Sequence, residues 1–215
     1  MEEEINFYFF CGKPGAGKDT QANILAEILP KVFKESTGDI FYSAKYKEGK
    51  YAHLHRILAP YIQLVDEKGG LIPDEPITDI VRNAVEGAIN EGYRNFIFTG
   101  FPRTVRQLAL VDEMLEAFRD NGFDTRSEFI EIKVTNETAV ERSETRMRTA
   151  ISRGERPKDV DLPEIRQKRL NVYLEQTRPM IDLLEQESRL MVIDGEPRIE
   201  IVTEIAFNRL GKERM

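Results

Sequence analysis

The chain has 215 residues, 40% of them hydrophobic and 32% charged, with a net charge of −7. That length suits one core domain with small insertions, and that composition suits a soluble globular protein and excludes a disordered one. The acidic balance argues against general attraction to nucleic acid or to an anionic membrane. The single cysteine, Cys11, excludes an internal disulfide and a multi-cysteine zinc site and fits a reducing cytoplasm.

The N-terminus MEEEINFYFF is acidic before a short apolar run, the opposite of an export signal's basic start. No apolar stretch approaches the roughly 20 residues of a membrane span. Ile5 to Cys11 has the length of a buried strand. Asp19 to Leu29 carries Ala22, Leu25, Ala26 and Leu29 at helical spacing. Ser36-Thr37-Gly38-Asp39 predicts a turn, followed by helical segments over 40–47 and 53–67 that end at Gly69-Gly70. Asp74 to Glu91 predicts a helix with Ile77, Ile80, Val81, Ala84, Val85 and Ala88 on one face. Asn95 to Thr99 predicts a second buried strand, and Thr104 to Asn121 a helix closed by Gly122. A strand over Ser127 to Val134 and a helix over Glu137 to Ser152 follow, then a polar loop to Leu162. Glu164 to Glu187 predicts a long helix bent near Pro179. A strand from Leu190 to Ile193 and a helix from Arg198 to Leu210 close the chain.

Strands alternating with helices predict an α/β fold, with a central parallel sheet covered on both faces. Two polar insertions, 36–73 and 150–163, read as small lobes on a single core spanning 1–215.

The stretch Gly12-Lys13-Pro14-Gly15-Ala16-Gly17-Lys18 matches G-x-x-x-x-G-K between a strand and a helix. Bare glycines let backbone N–H groups turn toward phosphate oxygens, and the helix that follows adds its positive end. Lys18 brings a full charge to the end of a triphosphate. Asp19 and Thr20 come next. A carboxylate so close to a triphosphate invites a cation between them, so Asp19 is a candidate magnesium residue, acting through a water. The alternative is that it only favours the helix N-terminus.

Three later strings narrow the reading: Ser36-Thr37-Gly38-Asp39, Gly70-Leu71-Ile72-Pro73-Asp74-Glu75 and Gly100-Phe101-Pro102-Arg103-Thr104-Val105-Arg106-Gln107. With GKPGAGKDTQ, and with Arg166 to Tyr173, Thr177-Arg178-Pro179 and Ile193-Asp194-Gly195, they resemble the adenylate kinase family of nucleoside monophosphate kinases. The resemblance implies a P-loop fold with a helical monophosphate-binding lobe at 36–73 and a short lid at 150–163. It implies reversible phosphoryl transfer from MgATP to AMP, giving two ADP. It places ATP on Gly12, Pro14, Gly15, Ala16, Gly17, Lys18, Asp19, Thr20, Arg142, Arg146 and Gly195. It places the monophosphate on Thr37, Gly38, Leu71, Ile72, Gly100, Arg103 and Gln107. Lys18, Arg103, Arg146, Arg156 and Arg169 become the catalytic cations, with Arg153 competing with Arg156 for the lid position. Thr104 after the arginine resembles the AMP-specific members, whereas asparagine is more typical of relatives acting on UMP and CMP. The short lid lacks the four-cysteine cluster of some long-lid members, so no zinc is expected. A monomer in the cytoplasm, without a nucleic-acid or membrane partner, completes the implied picture.

Three positions depart from the family pattern. Thr99 stands where the family has a magnesium-handling aspartate, and Asp19, which also borders the phosphate loop, is the residue that could offset it. Tyr42 stands where the family has an arginine on the monophosphate. Arg156-Pro157-Lys158-Asp159 replaces the usual lid Arg-x-Asp-Asp. These departures keep two alternatives open: a kinase for CMP, UMP or another monophosphate, and a nucleotide-binding regulatory relative with weak turnover. His53 and His55 do not share a helix face, which argues against a shared metal.

Overall fold

The computed structural model describes residues 3–155 and 162–211. Five strands form one parallel sheet in the order β2-β3-β1-β4-β5: β1 Glu3–Cys11, β2 Val32–Ser36, β3 Asn95–Thr99, β4 Phe123–Lys133 and β5 Leu190–Asp194. Each strand presents alternate residues to opposite faces, and both faces are buried. On one face Phe9 lies in register with Phe98 and Phe129 and stacks on them, with ring centroids 5.7 and 4.9 Å away. The helices α5 (Asp74–Asn90), α6 (Val105–Asp120) and α9 (Arg178–Gln186) bring Val81, Val85, Val111, Met114, Met180 and Ile181 into that cluster. On the opposite face Tyr8, Phe10, Ile97, Ile130 and Ile132 meet α1 (Lys18–Ile28) and α10 (Ile199–Leu210) through Ala22, Leu25, Val202 and Phe207.

The strand at 32–36 departs from the sequence expectation, which placed only a turn at 36–39. VFKES has too few apolar residues to announce a strand. It forms because it lies at the sheet edge, with Phe33 tilted against Phe96 and Phe98. The expected turn is instead the start of α2, Thr37–Tyr46. The expected helix over 53–67 is broken into short turns: Ala52–Leu54, α3 (His55–Leu58), Ala59–Tyr61 around Pro60, and α4 (Ile62–Lys68). Strand β4 also starts earlier than expected, because Phe123 to Arg126 pair with the first residues of β1.

The predicted bend near Pro179 has a definite form. Helix α7 (Asn136–Ser152) precedes the segment outside the described residues, and α8 (Pro163–Val172) follows it. A π-turn, Tyr173–Thr177, then joins α8 to α9. Pro179 has no N–H to give to Glu175, so the ladder widens there: the N–H of Arg178 reaches back five residues to the carbonyl of Tyr173. The widened turn faces the carboxyl ends of the strands, where open parallel sheets bind their ligands.

Candidate active site

The loop from Gly12 to Gly17 runs from the end of β1 into α1 and presses against its neighbours. Gly15 has φ +86°, and a Cβ there would lie 2.3 Å from the carbonyl oxygen of Ala139 in α7. Only glycine permits this approach. The loop lines a cavity with Lys18, Asp19, Gly38, Leu71, Gly100, Arg103, Arg146 and Arg169. A second cavity abuts it and contains Thr37, Gly38, Ile72 and Gln107, with Phe41, Val65 and Ile77 as an apolar wall. Arg103 and Arg169 line both.

Three cations therefore converge where the cavities meet. The Lys18 ammonium donates to the carbonyl of Lys13 at 2.9 Å. Burial, together with the charges of Arg103 and Arg169, pulls its pKa down to about 8, against the opposing pull of Asp19. Burial and Arg169 likewise destabilise the charge on Arg103. An anion between them relieves both penalties, which is how perturbed groups mark a functional cleft. The Nε of Arg103 donates to the carbonyl of Gly100 at 2.8 Å, and the Thr37 hydroxyl donates to the same oxygen at 2.7 Å. A Cβ on Gly100 would lie 2.5 Å from Arg103 Nη2, so bare backbone at residue 100 is what lets the guanidinium lie flat on the loop.

The remaining predicted residues fall into place unevenly. Arg142 donates to the carbonyls of Ala16 at 3.1 Å and Gly195 at 2.7 Å, joining the phosphate loop to the turn after β5. Arg146 lies one turn along α7 and lines the first cavity. Thr20 is exposed beyond the cavity rim. Of the two arginines on α8, Arg169 faces the cavities, whereas Arg166 turns away to pair with Glu144 at 3.2 Å. Arg153 is exposed at the end of α7 and lines neither cavity. Arg156 lies outside the described residues. Gln107 is buried, and its amide is engaged by the protein: Oε1 accepts from the Arg103 N–H at 2.7 Å, and Nε2 donates to Asp74 at 2.9 Å.

Tyr173 and Thr177 belong to strings that carry the resemblance, which assigns them no site role; they reach the first cavity from the π-turn, a feature with no local signal beyond Pro179. Behind Tyr173, the buried Glu131 carboxylate accepts from Arg178 at 3.3 Å. Cys11 lines the same cavity, but burial and the Glu131 charge push its thiol up to about 12. It is expected to resist thiol reagents at neutral pH in the folded protein and to react at the ordinary rate once denatured, as a chromogenic disulfide reagent can measure.

Thr99 and Asp19 are in direct contact. Thr99, buried at the end of β3, donates from Oγ1 to Asp19 Oδ1 at 2.6 Å.

A parallel sheet carrying a phosphate loop, with a second cavity joined to it through shared arginines, defines a P-loop kinase of the nucleoside monophosphate class. Comparison with known proteins is consistent with that class: the family model described as adenylate kinase matches residues 10–189. The chain is 34% identical to an adenylate kinase of Rhizobium meliloti, over 90% of this chain and 94% of that protein. It is 33% identical to one from Trichodesmium erythraeum, over 94% and 96%, and 34% identical to one from Agrobacterium fabrum, also over 94% and 96%. The chain belongs to the adenylate kinase family, phosphotransferases whose reaction is the reversible conversion of ATP and AMP into two ADP.

Proposed function

We propose that this chain transfers the γ-phosphoryl group of ATP to AMP, with ATP in the first cavity and AMP in the second. The observation that carries the assignment is that Arg103 and Arg169 line both cavities, beside Lys18. Phosphoryl transfer asks the protein for alignment of two phosphate tails and for positive charge around the oxygens between them. In this reading backbone N–H groups of Gly12 to Gly17 and Lys18 hold the donor tail. Thr37, Gly38, Gly100 and Arg103 hold the acceptor phosphate. Leu71, Ile72 and Gln107 take its base. Arg142 and Gly195 flank the ATP base, Arg146 and Arg169 supply charge around the transferring group, and the resemblance assigns the same charge role to Arg156, which lies outside the described residues. A phosphate oxygen of AMP attacks the γ-phosphorus of ATP in line as the bond from that phosphorus to the β,γ-bridging oxygen breaks, so both products are ADP; no residue is modified, and closure of residues 36–73 over the acceptor excludes water.

Initial rates of ADP formation from ATP with AMP, CMP, UMP or GMP test the reading. AMP is expected to be the best acceptor. A stronger acceptor among the other three would transfer the assignment to that base, and nucleotide binding without transfer to any of them would leave only a binding protein.

Mg²⁺ suits the donor site. Among the described residues no three His, Cys, Asp or Glu side chains are grouped to share an ion. A cation that keeps most of its waters needs only one or two carboxylates, and Asp19 lines the cavity beside Lys18. Bound with ATP, the ion supplies neutralising charge on the phosphate oxygens. Thr99 orients the Asp19 carboxylate, which in this reading takes over the role of the family's aspartate at residue 99. Asp19→Asn is expected to abolish most of the gain in ATP affinity that Mg²⁺ confers, and Thr99→Val to reduce it, both read by calorimetry without turnover. An unchanged Mg²⁺ effect in Asp19→Asn would remove the carboxylate's role. Both cavities are lined by one chain, so a monomer suffices, and the lone cysteine suits a reducing cytoplasm.

A further inference from the structure

We infer that Asp74 sets the base preference of the acceptor cavity, as a positioning residue acting through the side-chain amide of Gln107. The inference rests on the proposed reading of that cavity as the seat of the acceptor base. Gln107 is only 3% exposed and lines the cavity. Its Oε1 accepts from the backbone N–H of Arg103 at 2.7 Å, and its Nε2 donates to Asp74 Oδ1 at 2.9 Å. The same Asp74 oxygen accepts from the Thr104 hydroxyl at 2.8 Å. The Thr104 oxygen in turn accepts from the backbone N–H of Gln107 at 3.0 Å, as the cap of α6. Asp74 is thereby tied to the residue it orients at two points, although it comes from α5 and lies 33 positions away.

These partners remove the usual ambiguity of an amide. A backbone N–H can only donate and an ionised carboxylate can only accept. Rotating the Gln107 amide by half a turn would set its NH2 against the Arg103 N–H and its oxygen against the Asp74 carboxylate. Two hydrogen bonds would be lost, and two like-polarity contacts would replace them inside a buried site. An amide carries two N–H groups and accepts at two lone pairs. One of each is spent on holding the group, so one of each remains, in fixed order, for a base.

That order decides between amino and keto purines. Adenine offers an N6 amino donor beside a ring-nitrogen acceptor, which pairs with an amide oxygen and N–H in one sense only. Hypoxanthine replaces the amino group by a carbonyl and protonates N1. Its N1 edge needs the opposite amide orientation, and its N7 edge offers two acceptors. Asp74 thus selects an amino purine by preventing the amide from turning. Cytosine shares adenine's order of groups, so its exclusion falls to the size of the cavity.

Inosine monophosphate is the matched probe, because it differs from AMP only at that edge. The experiment compares kcat/KM for AMP and for inosine monophosphate, at saturating ATP, in the wild type and in Asp74→Asn. Asparagine keeps the size of the side chain and the preference for a helix start, and its amide can present either polarity to Gln107. The wild type is expected to favour AMP by roughly a hundredfold or more, as sites that bond a polar edge do. In Asp74→Asn that ratio should fall by about tenfold or more, chiefly through a rise in KM for AMP, with KM for ATP unchanged. The ratio is taken within one preparation, so loss of folded protein cannot produce it. Equal losses toward both acceptors, with the ratio intact, would show a purely structural role and overturn the inference. No transfer to AMP by the wild type would overturn the proposed function and the inference with it, whereas transfer to AMP with an unmoved ratio overturns the inference alone.

Discussion

Lys18→Ala is expected to lower phosphoryl transfer by about a thousandfold or more, some 4 kcal/mol of transition-state stabilisation, while the protein keeps its fold. The magnitude follows from where the ammonium sits. It is held by the Lys13 carbonyl at the mouth of the phosphate loop, within the fields of Arg103 and Arg169. Its charge is destabilised there by burial and only partly supported by Asp19, so the fold carries it at a cost that an anionic ligand relieves. Charge that develops on the transferring group meets a cation already in place, and no solvent reorganises during the step. The Lys18 aliphatic stem adds little to either hydrophobic cluster, so the melting temperature is expected to stay the same or to rise. Steady-state rates and a thermal melt on the same sample check both halves. A variant within tenfold of wild type would show that the loop amides carry the donor tail by themselves.

Arg103→Ala is expected to act on the other substrate. Its guanidinium is fixed by the Gly100 carbonyl and lies between the cavities, where a planar fork can grip a phosphate with two parallel bonds. Removing it should cost about 3 to 4 kcal/mol in kcat/KM for AMP, roughly two to three orders of magnitude. ATP affinity, read by calorimetry in the absence of AMP, should be preserved. Arg103→Lys should recover only part of the loss, because an ammonium is a point charge and cannot both bond Gly100 and span two phosphate oxygens. Equal damage to ATP and AMP binding would place Arg103 on the donor side and overturn the division between the cavities.

Much of this was legible in the chain itself. The phosphate loop is a local object, because bare glycines between an apolar run and an amphipathic helix declare their geometry within a few residues. The strands β1, β3 and β5 are legible as short apolar runs of strand length, and the helices α5, α6 and α10 as the longer segments between turn and glycine signals, with a one-sided apolar face explicit in α5. Where a segment's structure comes from its neighbours, the reading failed. Strand β2 has only Val32 and Phe33 to offer the core and exists because β3 offers it an edge. The helix expected over 53–67 had the right composition, but Pro60 and the packing of short turns divided it. Pro179 announced an irregularity, and the backbone resolved it as a widened turn that brings Tyr173 and Thr177 to the cavity.

By itself, the order of residues determined that a glycine-rich phosphate-loop motif follows the first strand, that a parallel sheet supports it, and that an arginine-bearing turn follows Thr99. These are properties of single segments, governed by backbone freedom and by hydrophobic period. Only the tertiary structure decided that Thr99 bonds Asp19 across 80 positions, that Arg169 faces the cleft while Arg166 turns to Glu144, and that Asp74 locks the amide of Gln107. Hydrogen bonds and ion pairs leave no period in a sequence. Their partners are chosen by which loop ends the sheet brings within about 3 Å of one another, the reach of a hydrogen bond.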